Sequence, residues 1–144
     1  MDLDGLSVRG RAPAAYDVEL RFDVDSLHAL RWTVAAHAGD RGATALQVEV
    51  LVIIAGELAT NAIRHGGGSG LLRLWRDDDV VFVQVSDQGP GIADPAVGMV
   101  MPSPERDRGR GLWIVRNLSS GVLIERGPAG RGAVVTVAVP RTAT

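Results

Sequence analysis

The 144-residue chain contains no cysteine and no lysine. Without cysteine, the chain can form neither disulfides nor the thiolates used in catalysis and metal binding. Without lysine, two phosphate sites are excluded, namely the P-loop GxxxxGK[ST] and the strand lysine of eukaryotic-type protein kinases. All 15 basic residues are arginine. A phosphate group bound by this chain would therefore be held by backbone amides, arginine or a metal ion.

Strong net charge and long apolar runs are also missing. The formal net charge of −2 and the pI of about 5.9 argue against binding to nucleic acid or to a membrane surface through bulk charge. The N-terminal MDLDGLSVRGRAPAAYD lacks the apolar core of a signal peptide, and no run approaches the roughly 18 apolar residues of a membrane span. We therefore expect a cytoplasmic protein that binds neither nucleic acid nor membranes.

The order of the predicted elements indicates one α/β (α+β) two-layer domain. We expect a flexible tail over residues 1–15 and a single domain over residues 16–144. Asp25 and Ser26 are candidate caps for the first helix, and Gly39 is expected to end it. The predicted elements are a strand at 18–22, helices from the caps to about 37 and from about 43 to 65, strands at 71–75 and 80–86, a helix at 111–120 and strands at 122–125 and 133–140. This order predicts a mixed, mostly antiparallel sheet with about three helices on one face.

The segment ELATNAIRHG carries three polar residues at four-residue steps on an otherwise apolar helix. Glu57, Asn61 and His65 therefore share one helical face. The amide oxygen of Asn61 suits a hard cation such as magnesium, and Glu57, one turn earlier, can accept a proton from a hydroxyl. Taken alone, the row is more simply the solvated face of an amphipathic helix.

A first glycine-rich motif, DQGPGI, directly follows a predicted strand. Pro90 and the following Ala-Asp-Pro disfavour the helix that a Rossmann turn requires. A tight turn is the simple interpretation. Asp87 nevertheless stands at the strand end, where its carboxylate can accept a hydrogen bond while Gly89 and Gly91 let a flat ring approach the backbone. Such a pocket suits adenine, whose exocyclic amine is a donor.

A second glycine-rich motif, DRGRGLWIV, opens the third predicted helix. Gly109 and Gly111 lie where unpaired amides and the helix dipole face the preceding loop. Arg106, Arg108 and Arg110 add positive charge there. A solvated arginine cluster is the alternative, but a positive helix start after a long loop is also what a phosphate chain requires.

Taken in order, the three motifs resemble the N box and two glycine boxes of the GHKL ATPase superfamily, which includes gyrase, MutL repair proteins and histidine kinases. The resemblance extends over about residues 18–140. It is closest to the bacterial anti-sigma factor serine kinases of the RsbW and SpoIIAB type, because of the single-domain length and the E-x-x-x-N-A-x-x-H-G string. The resemblance implies the Bergerat ATP-binding fold.

The resemblance also implies a role for each matching residue. Glu57 would be the catalytic base, Asn61 the ligand of Mg²⁺, and Asp87 the partner of the adenine amine. Residues 93–108 would form a lid over ATP or ADP. The other implied nucleotide-binding positions are His65, Gly89, Gly91, Ile92, Arg108, Gly109, Arg110, Gly111 and Leu112.

The implied activity is transfer of the γ-phosphate of ATP to a serine or threonine of a STAS-domain anti-sigma factor antagonist. The resemblance also allows sequestration of a sigma factor and a homodimer. Two alternatives stay open, a non-catalytic nucleotide-dependent binding module and the detached catalytic domain of a histidine kinase. The presence of Glu57 favours an enzyme over the binding module, and the absence of a phosphoacceptor sequence disfavours the histidine kinase.

The chain departs from the family pattern at two places. Many relatives have a threonine after the last glycine box, where it supports an adenine-bound water, but here GRGAVV places Ala133 at that position. Weaker adenine binding is one expected consequence, and compensation by Thr136 is another. The predicted lid is also short, which bears on how well ATP is retained.

Overall fold

In the part of the chain that the structure describes, a five-stranded sheet forms one layer and three α-helices form the other. The computed structural model describes residues 15–77, 79–91, 110–127 and 130–140. The strands are β1 (Val18–Asp23), β2 (Ser69–Asp77), β3 (Val80–Ser86), β4 (Gly121–Arg126) and β5 (Ala133–Pro140), and the helices are α1 (Leu27–Asp40), α2 (Ala45–His65) and α3 (Arg110–Leu118). The predicted two-layer fold is confirmed, and the predicted limits of β3 and β5 agree with the structure.

The strand order is β1-β2-β3-β5-β4, and each of the four pairings is antiparallel. A mixed sheet would contain a parallel pair, and none occurs among the described strands. The chain leaves the sheet after β3, passes through α3, forms the edge strand β4 and returns with β5 between β3 and β4. This path places the end of β3 beside the start of β5.

Helix α2 forms the centre of the core. Its buried residues Leu51, Ile54 and Leu58 pack in one cluster with the inward side chains of the sheet. By length and composition α2 could cross a membrane, with a mean hydropathy of 1.5 over its most apolar window, which corrects the sequence-based statement that no run approaches a span. Half of that window is buried inside the protein, as expected for a core helix.

The opposite face of the sheet has a smaller cluster of its own. Trp75 stacks on Phe82 with ring centroids 5.4 Å apart, and both side chains are buried. Thr136 shares this face, because strand residues alternate between faces and its neighbours Val135 and Val137 belong to the core beneath α2. The Thr136 hydroxyl accepts a hydrogen bond from the Gln84 amide at 3.0 Å.

Helix α1 continues past the residue expected to end it. Gly39 lies inside the helix, which runs to Asp40. Two hydrogen bonds close its end, from the Gly42 amide to the Gly39 carbonyl at 3.1 Å and from the Ala43 amide to the Ala38 carbonyl at 3.0 Å. Gly42 has a φ of 82°, so this is a Schellman motif with its glycine three residues later than predicted.

The two glycines at this helix end make a matched pair for a stability test. An added Cβ meets no atom within 4 Å at either position, but only Gly42 has a positive φ. We expect Gly39→Ala to raise the free energy of unfolding by about 0.5–1 kcal/mol and Gly42→Ala to lower it by about 1 kcal/mol. Urea unfolding of both variants measures the difference. Equal stability of the two variants would contradict this account of the helix end.

Candidate functional site

The carboxylate of Asp87 is held by backbone amides from two separate segments. Asp87 directly follows β3, and its Oδ1 accepts hydrogen bonds from the Gly89 amide at 2.9 Å and the Ala133 amide at 3.3 Å. Its own amide donates to the Ala133 carbonyl at 3.0 Å. The start of β5 and the turn after β3 thus both hold this side chain in place. The strand-end position predicted for Asp87 is what the structure shows.

Three glycines surround Asp87 where a side chain would not fit. A Cβ on Gly66 would overlap the Asp87 carboxylate, and one on Gly89 would lie 2.5 Å from the Gly66 Cα. Gly132 has a φ of 74°, and a Cβ added to it would overlap the Asp87 carbonyl oxygen. The Gly132 amide donates a hydrogen bond to the Gly89 carbonyl at 2.9 Å. Sequence reasoning identified Gly89 and missed the other two. In the sequence, only the glycine-rich runs GGGSG and GRGA indicated Gly66 and Gly132.

The Glu57 carboxylate lies against the first turn of α3. A Cβ added to Gly111 would stand 2.8 Å from Glu57 Oε2. The first amides of a helix have no partner within the helix, and the dipole makes that end positive. The structure therefore brings together an acid and an anion-binding helix start, two features that the sequence placed in separate motifs.

Asn61 and His65 follow Glu57 along α2 at successive turns. All three side chains are partly buried. Among the described residues, neither Glu57 nor Asn61 has a hydrogen-bond or ion-pair partner, so both are available to a ligand. The helix ends at His65, and its C-cap residue Gly66 lies beside Asp87. Glu57 and Gly66 are nine residues apart, or about 14 Å along the axis, so the row leads from the start of α3 to the turn after β3.

The donor groups in the described part of the chain do not form a protein cage for a metal. No group of three or more His, Cys, Asp or Glu side chains that could hold an ion occurs there. Magnesium commonly takes only one or two ligands from protein and the rest from water and substrate phosphates. A single oxygen ligand such as Asn61, which is partly exposed and lies one helical turn from Glu57, fits this mode of binding.

Several predicted site residues lie outside the described part of the chain, namely Ile92, Arg108, Gly109 and the lid at 93–108. The predicted tail lies outside it as well, except for Ala15. Arg110 is the first residue of α3. Leu112 is 2% exposed and belongs to the core, so only its backbone is available for binding. Gly91, with a φ of 89°, faces the Gly132 carbonyl in the turn after β3.

Ala133 and Thr136 occupy different faces of β5. The Ala133 side chain is buried, and by strand alternation it faces the helices, as Val135 and Val137 do. Thr136 faces away from the helices and is bonded to Gln84. The expectation that Thr136 compensates for the missing threonine at position 133 is therefore wrong.

The chain is similar to known proteins over almost its whole length. Residues 20–139 match the model of the histidine kinase-like ATPase domain. The signal transduction histidine-protein kinase AfsQ2 of Streptomyces coelicolor is 28% identical over an alignment of 152 positions, which spans 96% of this chain and 26% of that protein. The chain thus spans about a quarter of the length of this curated relative.

Solved structures show the same fold. The RsbU and RsbW domains of Rv1364c from Mycobacterium tuberculosis match with a TM-score of 0.61 at 21% identity, over 90% of this chain and 33% of that one. Full-length ShkA in complex with AMPPNP matches with a TM-score of 0.54 at 25% identity, over 90% and 32%. The catalytic domain of the histidine kinase ThkA matches with a TM-score of 0.53 at 18% identity, over 88% and 99%.

Proposed function

The chain belongs to the histidine kinase-like ATPase family, and we propose that it is an ATP-dependent serine/threonine kinase of the anti-sigma factor type. In this proposal it works in the cytoplasm and phosphorylates a STAS-domain antagonist. Sequestration of a sigma factor and a homodimer are further parts of the proposal. The observation that carries it is the Glu57 carboxylate of α2, which lies against the start of α3 and has no hydrogen-bond or ion-pair partner among the described residues.

Nucleotide binding is supported at the Asp87 end of the site. The carboxylate is an acceptor held in place by two amides, and the adenine amine is a donor. The glycine backbones around it leave a flat ring room to approach. The match to ShkA, whose structure contains AMPPNP, agrees with this assignment. Adenine would therefore lie near the C-terminal end of α2.

Phosphates would lie at the other end of the row, before the first turn of α3. The amides of Arg110 and Gly111 belong to that turn, and they would bind phosphate oxygens as helix starts commonly do. Asn61, between the two ends, is the residue that we assign to Mg²⁺. Bound magnesium would neutralise charge on the phosphoryl group being transferred.

The position of Glu57 supports a hydroxyl acceptor in this proposal. A serine or threonine hydroxyl must lose a proton as it attacks phosphorus, whereas a neutral imidazole attacks with a nitrogen lone pair. Glu57 is partly exposed and lies where the phosphates would end, so it can take the proton of a hydroxyl delivered from solvent. This placement favours a serine/threonine kinase over the histidine kinase activity named for AfsQ2.

Replacement of Asp87 tests the adenine contact. In Asp87→Asn, the amide oxygen can keep the hydrogen bonds from Gly89 and Ala133, which turns the NH₂ group toward the adenine amine. We expect ATP and ADP to bind more weakly by about 1–3 kcal/mol, as measured by isothermal titration with magnesium. Thr136→Val is the control, since it removes a hydroxyl on the other face of the sheet and should leave affinity unchanged. Wild-type affinity in Asp87→Asn would refute the contact.

Replacement of Glu57 tests the catalytic base. Glu57→Gln keeps the size of the side chain but cannot accept the proton, so phosphorylation of a cognate STAS protein should fall by roughly 10²–10⁴-fold with little change in ATP affinity. Glu49→Gln, on the exposed side of the same helix, should retain full activity. Phosphate transfer at the wild-type rate by Glu57→Gln would show that the mechanism is wrong.

Asn61→Ala tests the assigned magnesium ligand. Because the lost oxygen would hold both the metal and, through it, the phosphates, we expect ATP affinity and phosphate transfer to decrease together. Titration of ATP with and without magnesium measures the first effect, and the affinity of the variant should depend less on magnesium than that of the wild type. An unchanged magnesium dependence would place the metal elsewhere.

The phosphorylated product distinguishes the alternatives. Phosphate on serine or threonine survives acid, whereas phosphate on histidine is lost, so acid treatment of the labelled partner identifies the acceptor. Acid-labile label would support a histidine kinase domain instead. ATP binding without transfer to any STAS protein, combined with partner binding that responds to nucleotide, would support the non-catalytic switch.

A further inference from the structure

Gly66 is a glycine whose backbone does not require one. Its φ is −114° and its ψ is 23°, a conformation open to any residue. The next two residues differ, since Gly67 and Gly68 have φ values of 95° and 92°, which disfavour side chains. The reason for a glycine at position 66 must therefore lie in its surroundings.

Those surroundings are the Asp87 carboxylate and the turn that carries it. A Cβ at position 66 would overlap Asp87 Cγ and Oδ2, and would lie 2.7 Å from the Ala62 carbonyl oxygen. The other carboxylate oxygen is bonded to the amides of Gly89 and Ala133. The carboxylate thus lies between two amides on one side and the bare Cα of Gly66 on the other, which fixes the direction of both oxygens.

Resting on the function proposed above, we propose that Gly66 is a positioning residue that sets the selectivity of the site for adenine. An adenine base presents an amine donor to the carboxylate, whereas guanine presents a carbonyl oxygen at the same ring position. Discrimination between them requires a carboxylate oxygen held at a fixed place and angle. A side chain at position 66 would displace the carboxylate from the place where Gly66 now holds it.

Gly66→Ala should therefore weaken ATP binding roughly tenfold or more and reduce the preference for ATP over GTP by a similar factor. Affinities for both nucleotides are measured by isothermal titration with magnesium. The ratio of ATP to GTP affinity in Gly66→Ala should approach the ratio in Asp87→Asn. Because the added methyl group would also crowd the last turn of α2, the thermal midpoint of unfolding is measured in parallel.

Gly68→Ala is the matched control in the same loop. An added Cβ there meets no atom within 4 Å, but the φ of 92° strains the backbone. It should lower stability without changing the ratio of ATP to GTP affinity. A purely structural role of Gly66 predicts that both variants lose stability and keep the wild-type ratio, and that result would overturn the proposal.

A second variant keeps the test decisive if Gly66→Ala does not fold. Asp87→Ser shortens the side chain that the new methyl group would meet, so Gly66→Ala should cost less stability in the Asp87→Ser background than in the wild type. Failure to fold in both backgrounds, or an equal loss of stability in both, would refute the contact. If the wild type binds neither nucleotide, the proposed function itself fails. If the wild type prefers ATP and Gly66→Ala keeps the same preference, only this inference is refuted.

Discussion

Helix α2 contacts α1, α3 and the strands β2, β3 and β5, and its packing determines where Glu57, Asn61 and His65 lie. One face must bury leucine and isoleucine against the sheet, which sets the rotation of the helix about its axis. That rotation in turn directs Glu57 and Asn61 to the side where α3 begins. Polar residues at four-residue steps can serve one ligand only if this rotation is fixed, and the apolar core beneath the helix fixes it.

Three close contacts of α2 and its end with neighbouring segments are made at glycines. The Arg31 guanidinium of α1 lies over Gly56, the Glu57 carboxylate of α2 lies against Gly111 of α3, and Asp87 and Gly89 rest on Gly66. At each point a methyl group would stand within 3 Å of a neighbouring atom. A glycine leaves empty the space that its own side chain would fill. A charged group of the neighbouring segment occupies that space and is held there in a defined position.

Local periodicity was enough to predict the polar row on α2, the strands β3 and β5 and the two-layer fold, because each of these depends on residues near one another in sequence. The face of the sheet on which Thr136 lies could also have been predicted, since alternation along the strand places Thr136 opposite to Val135 and Val137. The end of α1 was harder. Gly39 and Gly42 are equally good stop signals in a sequence, and only the closing hydrogen bonds distinguish them. The parts played by Gly66 and Gly132 depend on contacts with Asp87 from distant segments, which no local pattern records.

Ala133 shows how a departure from a family pattern can leave part of a site intact. Its side chain lacks the hydroxyl found in many relatives, but its amide donates to Asp87 and its carbonyl accepts from Asp87. Every residue except proline has both backbone groups, so an alanine at this position supports the carboxylate as a threonine would. In the proposed site, the missing hydroxyl would remove the support of an adenine-bound water. Adenine recognition would then depend mainly on the proposed direct contact with Asp87, and on the glycine backbones that hold its carboxylate in place.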